Sequence, residues 1–346
     1  MQGPGSLFGP GPAGTEGAQA RFRLCDPPVG HYPEPMKPTL VPFLLLLLTA
    51  CTSLGGPPEA PTGAEALSLT GAPLSRPELE PERLERLEAD LAEALAEVTT
   101  HPDEESAWIW YGRRLGYLGR YREAVSAFSE GLERFPESYR LLRHRGHRHL
   151  TLRQLDAAVR DLRAASRLAA GFPDQLEPDG APNEAGIPRS TTHSNIEYHL
   201  GLALYLQERF EEALVAWERC LFFSQVNDDQ LCAATYWTVL TLWRLDRDDA
   251  AARLLERITP HMDVLENRTY QRLLLGYRGE VDELALVGEL RRGEASDATL
   301  GYGLAAWALH RGREQDALRL CREVVVGSEW PWFGHIAAEA ELARAR

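Results

Sequence analysis

Residues 106–136, which read SAWIWYGRRLGYLGRYREAVSAFSEGLERFP, constrain the fold of this chain more than any other segment. Their apolar side chains recur at the steps of three and four that indicate amphipathic helix. Small residues at Gly112 and Ala124 allow two antiparallel helices to approach closely, and large residues such as Trp108 and Phe128 fill the space beside them. The segment therefore predicts a helical hairpin.

The same pattern returns along the chain, which predicts a repeat architecture. One repeat length further on, Gly146 takes the place of Gly112 with small and apolar residues in register, and a third copy centres on Gly201 after a longer interval. A fourth copy uses Leu242, a last one uses Gly312, and the sequence between them has room for one degenerate unit. We expect six helical hairpins, three with a clear pattern and three with a weaker one.

The first segment resembles the tetratricopeptide repeat family through a set of residues at the family spacing: Trp108, Gly112, Leu115, Gly119, Tyr121, Ala124, Phe128, Gly131 and Pro136. The resemblance is strong over 105–260 and weaker over 265–330. It implies an all-α, right-handed superhelix. Apolar side chains at steps of three and four within 81–98 predict an amphipathic N-terminal helix before it, and the tail from Pro331 predicts a C-terminal capping helix. We divide this part of the chain into 79–260, with an insertion at 171–193, and a more degenerate part at 261–346.

The resemblance also implies a binding surface, because the first helix of each family hairpin lines a concave face. The family register places these residues there: Arg113, Tyr117, Arg140, Arg143, His147, Asn195, Tyr198, Tyr205, Tyr236, Trp243 and Arg244, with Tyr302 and His310 from the last unit. Such a basic patch followed by an aromatic stripe suits a protein client or an acidic peptide, since arginine pairs with carboxylates and tyrosine offers flat apolar contact. Two alternatives stay open: ordinary arginine usage with inter-repeat tyrosine packing, and a glycan- or nutrient-binding groove serving an outer-membrane transporter.

The N-terminal region indicates secretion and a lipid anchor. An apolar run from Leu40 to Leu48 follows Met36 and Lys37 and ends in Leu-Thr-Ala-Cys, which resembles the lipobox of bacterial lipoproteins. We expect 1–35 to be a mis-called extension, 36–50 a signal peptide, Cys51 the lipidated residue and 51–78 a flexible tether. Thr52 after the cysteine favours the outer membrane, facing the periplasm.

Other classes of function receive little support from the sequence. The net charge of −14 argues against nucleic-acid binding. No nucleophile elbow, phosphate-cradling glycine loop or catalytic carboxylate pair indicates an enzyme, and no cofactor is expected. His144 and His147 are neighbours on a helix but lack further ligands, so no metal is predicted.

The insertion at 171–193 is acidic, and Arg145 and His149 of the second hairpin occupy positions that the family normally fills with apolar residues. We expect the insertion to fold back on the second hairpin, to pair with Arg145 and His149, and to form one wall of the groove.

Overall fold

The computed structural model describes residues 61–178, 180, 183, 185–293 and 297–346. The predicted extension at 1–35, the signal peptide at 36–50 and Cys51 lie outside the described residues. None of the described helices is both long enough and apolar enough to cross a bilayer.

The regular secondary structure of the described residues is helical apart from one short β-hairpin, as the repeat pattern predicts. Its elements are β1 (Ala64–Leu67), β2 (Pro73–Ser75), α1 (Pro81–Thr100), α2 (Glu105–Tyr117), α3 (Tyr121–Arg134), α4 (Tyr139–Thr151), α5 (Leu155–Ala169), α6 (Thr192–Leu206), α7 (Phe210–Phe223), a short 3₁₀ turn (Ser224–Val226), α8 (Asp228–Arg244), α9 (Asp248–Leu255), α10 (Arg268–Tyr277), α11 (Glu283–Arg292), α12 (Asp297–His310), α13 (Glu314–Val324) and α14 (Phe333–Arg344). Helices α2 to α13 pair as six hairpins, α1 precedes them and α14 follows, so the predicted all-α solenoid is confirmed. The hairpins after residue 260 continue the stack, because α10 packs against both α8 and α12.

Close approach within each hairpin depends on the small residues of the repeat. A Cβ atom at Gly112 would lie 2.3 Å from the Phe128 ring, and one at Gly201 would lie 2.6 Å from the Trp217 ring. Both distances are far below any normal carbon–carbon contact, so the two helices can pack at this spacing only with glycine there. The interpretation of the small residues as a packing requirement is confirmed.

The turn inside every hairpin contains one residue in the left-handed region. Gly119, Gly279 and Gly312 supply it at φ values between 71° and 83°, whereas the other three turns use Arg153, Glu208 and Asp246 at φ values of 55° to 61°. A non-glycine residue there costs of order 1 kcal/mol or more, so the surrounding structure must hold it in place. The conformation is common to all six units, including those whose sequence pattern is weak.

The prediction of a flexible tether is wrong for residues 61–78. Strands β1 and β2 form an antiparallel hairpin whose Ala66 packs in one buried cluster with Trp330. The Leu69 amide donates a hydrogen bond to Glu339 Oε2 at 2.9 Å, and the Trp330 indole donates to the Ser75 carbonyl at 2.8 Å. A composition rich in proline and glycine suggested flexibility, but distant partners satisfy this backbone, and no local pattern reports them.

The C-terminal helix α14 contacts more of the chain than the last hairpin that a capping helix would cover. It packs on α12 and α13 and also contacts α6. Near the hairpin at 64–75, Glu339 of α14 forms a buried ion pair with Arg153, with Nη2 and Oε1 2.5 Å apart. The two ends of the described chain therefore meet, and α14 covers part of the surface that the first helices of the hairpins present.

Candidate functional site

The first helices of the hairpins, α2, α4, α6, α8, α10 and α12, form what we call the inner face, and two adjoining cavities open on it. The basic cavity has a volume of about 520 Å³ and is lined by side chains of α2 and α4, among them Arg113, Arg143 and Arg148. The aromatic cavity has a volume of about 480 Å³ and is lined by residues of α4, α6, α8, α10 and α12. Both are lined by Arg143 and Trp332, so they form one continuous recess of ligand-binding size.

The basic cavity holds more positive than negative charge. Its described lining includes Arg113, Arg143, Arg148 and Arg189 against two carboxylates, Glu177 and Glu266. Arg189 is paired with Asp229 at 3.4 Å and with Asp263 at 2.8 Å, both outside this lining, so among the described residues the excess positive charge lies on Arg113, Arg143 and Arg148, in a protein whose net charge is −14. Such a local excess attracts anions despite the overall charge.

The three arginines of α2 and α4 are neutralised unequally. Arg143, buried, pairs with Glu177 at 2.8 Å, and its Nε has no hydrogen-bond partner. Arg113 donates to the Tyr117 hydroxyl at 3.0 Å and to the Pro178 carbonyl at 2.7 Å, and stacks on Trp110. Arg148 contacts the His147 ring, with Nη2 2.9 Å from Nδ1. Among the described residues, neither Arg113 nor Arg148 has a carboxylate within ion-pair distance.

Because no described carboxylate pairs with Arg148 to offset its burial, the pKa of its guanidinium is lowered. Burial, with added repulsion from Arg143 and Arg113, lowers the pKa of its guanidinium from 12.5 to about 10. The side chain stays protonated at neutral pH, but its charge is held at an energetic cost.

Three histidines, His144, His147 and His199, surround the arginines. Burial, reinforced by the charge of neighbouring arginines, holds each of their pKa values well below 6.5. The rings of His147 and His199 lie against each other, with centroids 4.2 Å apart. These imidazoles are neutral at pH 7 and offer hydrogen bonds to a ligand without adding charge. The described residues contain no group of three side chains placed to hold a metal ion.

The insertion folds onto the second hairpin, but through other residues than expected. Glu177 pairs with Arg143, and the Gln175 amide oxygen accepts a hydrogen bond from Arg140 at 3.0 Å. The prediction that the insertion would pair with Arg145 and His149 is wrong for the described residues.

Arg145 instead makes a two-pronged ion pair with Asp161 of α5, with Nε–Oδ2 at 2.6 Å and Nη2–Oδ1 at 2.9 Å. His149 lies 3.6 Å from the same carboxylate and contacts the Gln154 side chain. Because Asp161 lies on the partner helix of the same hairpin, a local pairing satisfies both of these partly buried residues.

The aromatic cavity combines ring faces with neutral polar groups. The Tyr198 hydroxyl accepts from the Trp237 indole at 2.7 Å and lies 3.3 Å from the Tyr270 hydroxyl. Phe333, the first residue of α14, packs against Tyr198 with ring centroids 5.9 Å apart. Asn195 also lines this cavity. The arrangement suits a ring or an apolar side chain carried by a ligand with polar edges.

Six of the predicted groove residues therefore meet in this recess: Arg113, Tyr117, Arg143, His147, Asn195 and Tyr198. Arg140 lies at its edge, where it pairs with Glu105 at 3.3 Å and lines a neighbouring cavity of about 290 Å³.

The predicted continuation of the groove into the later hairpins is wrong. Tyr205, Tyr236 and Tyr302 are buried in the core, where the Tyr205 and Tyr302 hydroxyls lie 2.8 Å apart. Arg244 is ion-paired with Glu341 of α14. For Tyr302 and Arg244 the reason is the position of α14, whose Glu341 contacts both side chains, whereas Tyr236 packs against Tyr270 of α10 with ring centroids 4.6 Å apart.

Trp243 and His310 lie in a separate cavity of about 300 Å³, together with Arg244 and the edge of Tyr205. Their rings stack with centroids 4.2 Å apart. They contact each other rather than the recess, so they do not belong to the same site.

Several residues of the recess could not be assigned from the family register. Arg148 and His144 fall on helix positions that the register does not direct to the concave face, and Glu177 comes from the insertion. Trp332 and Phe333 come from the start of α14, far beyond α6 in sequence, and only the closure of the chain places them there. The arginine- and histidine-rich stretch RHRGHRHL was the one sequence signal for this cluster.

Comparisons with known proteins agree with the repeat. The tetratricopeptide repeat family model matches residues 112–173, so this chain contains tetratricopeptide repeats within its all-helical solenoid. No curated protein matches the chain. The fold suggests a protein–protein interaction scaffold, and proteins of this repeat class are generally not enzymes.

Solved structures that resemble the chain include tetratricopeptide proteins at low identity. YrrB, described as a TPR protein with an unusual peptide-binding site, has 12% identity and a TM-score of 0.39, with 67% of this chain and 91% of YrrB covered. MamA AMB-1 has 15% identity and a TM-score of 0.35, with 60% and 99% covered. The Cut9–Hcn1 hetero-tetramer of APC/C has 15% identity and a TM-score of 0.33, with 76% and 46% covered.

Proposed function

We propose that the protein is a tetratricopeptide scaffold of the bacterial envelope that binds a client protein through an acidic peptide segment. The observation that carries the proposal is the recess on the inner face, where arginines of two successive hairpins adjoin the aromatic side chains of the third. Arginine forks pair with carboxylates, and the aromatic cavity accepts an apolar residue next to the acidic one. A client would thus be recognised by an acidic residue beside an apolar one.

The contacts of the insertion support the acidic character of the client. Glu177 places a carboxylate on Arg143, and the next peptide carbonyl, that of Pro178, accepts a hydrogen bond from Arg113. The chain's own segment therefore illustrates how an extended acidic peptide can lie across α2 and α4.

The binding test compares the full chain with an Arg113→Glu variant and with Arg253→Glu as a matched control. Arg113 lines the recess, whereas Arg253 is exposed on α9. We expect a discrete protein from detergent-solubilised envelope to be retained by the unmodified chain and the control but lost by Arg113→Glu. If both variants retain the same proteins, or if the unmodified chain retains none, the scaffold assignment fails.

The anchoring part of the proposal rests on the lipobox-like sequence ending at Cys51. Cells producing the protein should incorporate labelled palmitate into it, and Cys51→Ser should abolish the label while Cys220→Ser, at a buried core position, keeps it. The labelled protein should fractionate with the outer membrane. Label that persists in Cys51→Ser would exclude lipidation at this residue.

A further inference from the structure

The basic cavity contains positive charge that the described residues do not balance. Arg113, Arg143 and Arg148 converge on it from α2 and α4, and Glu177 is the one carboxylate ion-paired to any of them among the described residues. Arg143 is only 7% exposed, yet its Nε has no hydrogen-bond partner. Buried cations without partners are costly, so such a group calls for a counter-ion or a hydrogen-bond acceptor, and a bound anion supplies both.

The excess of charge indicates the kind of anion. Glu266, the other described carboxylate of the lining, is not within ion-pair distance of Arg113, Arg143 or Arg148, so with Glu177 in place these arginines keep two positive charges without a paired carboxylate among the described residues. Two charges match one doubly charged oxyanion better than a single carboxylate. Guanidinium forks from two helices can bond several oxygens of a tetrahedral group at once, and the neutral imidazoles of His144 and His147 line the same cavity. A phosphate monoester carries nearly two negative charges above pH 7 and has three such oxygens.

We propose that the basic cavity binds a doubly charged phosphate group, supplied by a small organic phosphate monoester or by free phosphate. The proposal rests on the proposed function only for the location of the site on the inner face, and it requires no peptide. The volume of about 520 Å³ exceeds that of a phosphate ion and leaves room for an organic substituent, which the adjoining aromatic cavity can receive.

Isothermal titration calorimetry of the full chain at pH 7.5 tests the proposal with three probes: phenyl phosphate, phenylacetate and inorganic phosphate. We expect phenyl phosphate to bind at least tenfold more tightly than phenylacetate, which carries the same ring with one charge. Inorganic phosphate that binds as tightly as phenyl phosphate identifies free phosphate as the source, and weaker binding identifies an organic phosphate. Equal affinity for phenyl phosphate and phenylacetate, or no binding of any probe, overturns the proposal.

Variants separate this site from a general attraction of anions. Arg148→Gln should weaken phenyl phosphate binding at least tenfold, and Arg113→Gln, at a less buried position, should do the same if the first variant folds poorly. Arg253→Gln, on the exposed surface, should bind as the unmodified chain does. Glu177→Gln should bind phenyl phosphate more tightly, because it removes the carboxylate that is ion-paired with Arg143. Unchanged affinity in both Arg113→Gln and Arg148→Gln overturns the assignment of these residues.

The outcomes distinguish this inference from the scaffold function. A chain that captures its client but binds no phosphate probe refutes the inference alone. A chain that binds phenyl phosphate but captures no protein refutes the scaffold function and leaves the phosphate site standing.

Discussion

Arg148 should destabilise the free protein, and its replacement by methionine should stabilise it. Lowering the pKa of a guanidinium from 12.5 to about 10 corresponds to an unfavourable free energy of about 3 kcal/mol for the charged form in the folded state. This figure is already the net of burial and of the contacts that the charged form makes. Replacement by methionine also removes the contact of the guanidinium with the His147 ring and its approach to the Tyr121 ring at 5.3 Å, so the expected gain in stability is smaller, about 1–2 kcal/mol.

Arg148→Met keeps the length of the aliphatic stem and removes the charge. We expect the free energy of unfolding in urea to rise by about 1–2 kcal/mol and the melting temperature to rise by a few degrees. Arg253→Met, on the exposed surface of α9, is the matched control and should change stability by less than about 0.5 kcal/mol. The measurement is made without added anions, because phosphate in the buffer would stabilise only the protein that keeps Arg148.

A loss of stability in Arg148→Met that exceeds the change in the control would refute the reasoning. It would mean that groups in the fold already balance the charge of Arg148, and the inference of a ligand-completed site would lose its main support.

The same contacts lead to three further predictions. Arg143→Met should lower the free energy of unfolding by about 3–5 kcal/mol, because it leaves the buried Glu177 carboxylate unpaired. This change is opposite in sign to that expected for Arg148→Met, and a neutral effect in urea denaturation would contradict the pairing. Gly112→Ala should lower the free energy of unfolding by about 1–2 kcal/mol, because the added methyl group clashes with Phe128. Gly116→Ala should be neutral or stabilising, because its methyl group meets only the flexible end of Arg148. Equal melting temperatures of the two variants would exclude the packing explanation. His144, His147 and His199 stay neutral in the folded chain, whereas the same histidines in the unfolded chain bind protons near pH 6.5. The free energy of unfolding should therefore fall by about 1.4 kcal/mol per histidine as the pH is lowered from 7.5 to 5.5. A variant with all three replaced by glutamine that keeps the full pH dependence would contradict this.

The sequence was sufficient to predict the hairpins because the repeat is a local code. Gly112 and Phe128 lie on the two helices of a single hairpin and pack against each other there, so their spacing reports their contact directly. The same locality explains why six hairpins could be predicted even where single units were degenerate.

The sequence predicted the candidate site only for residues of the first three hairpins, because only these depend on the local repeat pattern. Arg113, Arg143 and Tyr198 lie on first helices, and the family register places them on one face. Burial of Tyr205 and Tyr302 depends on α14, whose return to α6 joins two distant parts of the chain. The ordering of residues 61–78 depends in the same way on Glu339 and Trp330, at the other end of the chain. Contacts between residues so far apart in the sequence produce no periodic pattern that a sequence analysis could detect.

The central claim is that the arginines of the inner face form the binding surface, and arginine-selective labelling tests it most directly. The full chain is treated with phenylglyoxal with and without its captured client, and the labelled positions are read by mass spectrometry. The account predicts that the client protects Arg113 and leaves the exposed Arg253 labelled equally in both samples. Protection of Arg253 with undiminished labelling of Arg113 would place the client on another surface and contradict the account.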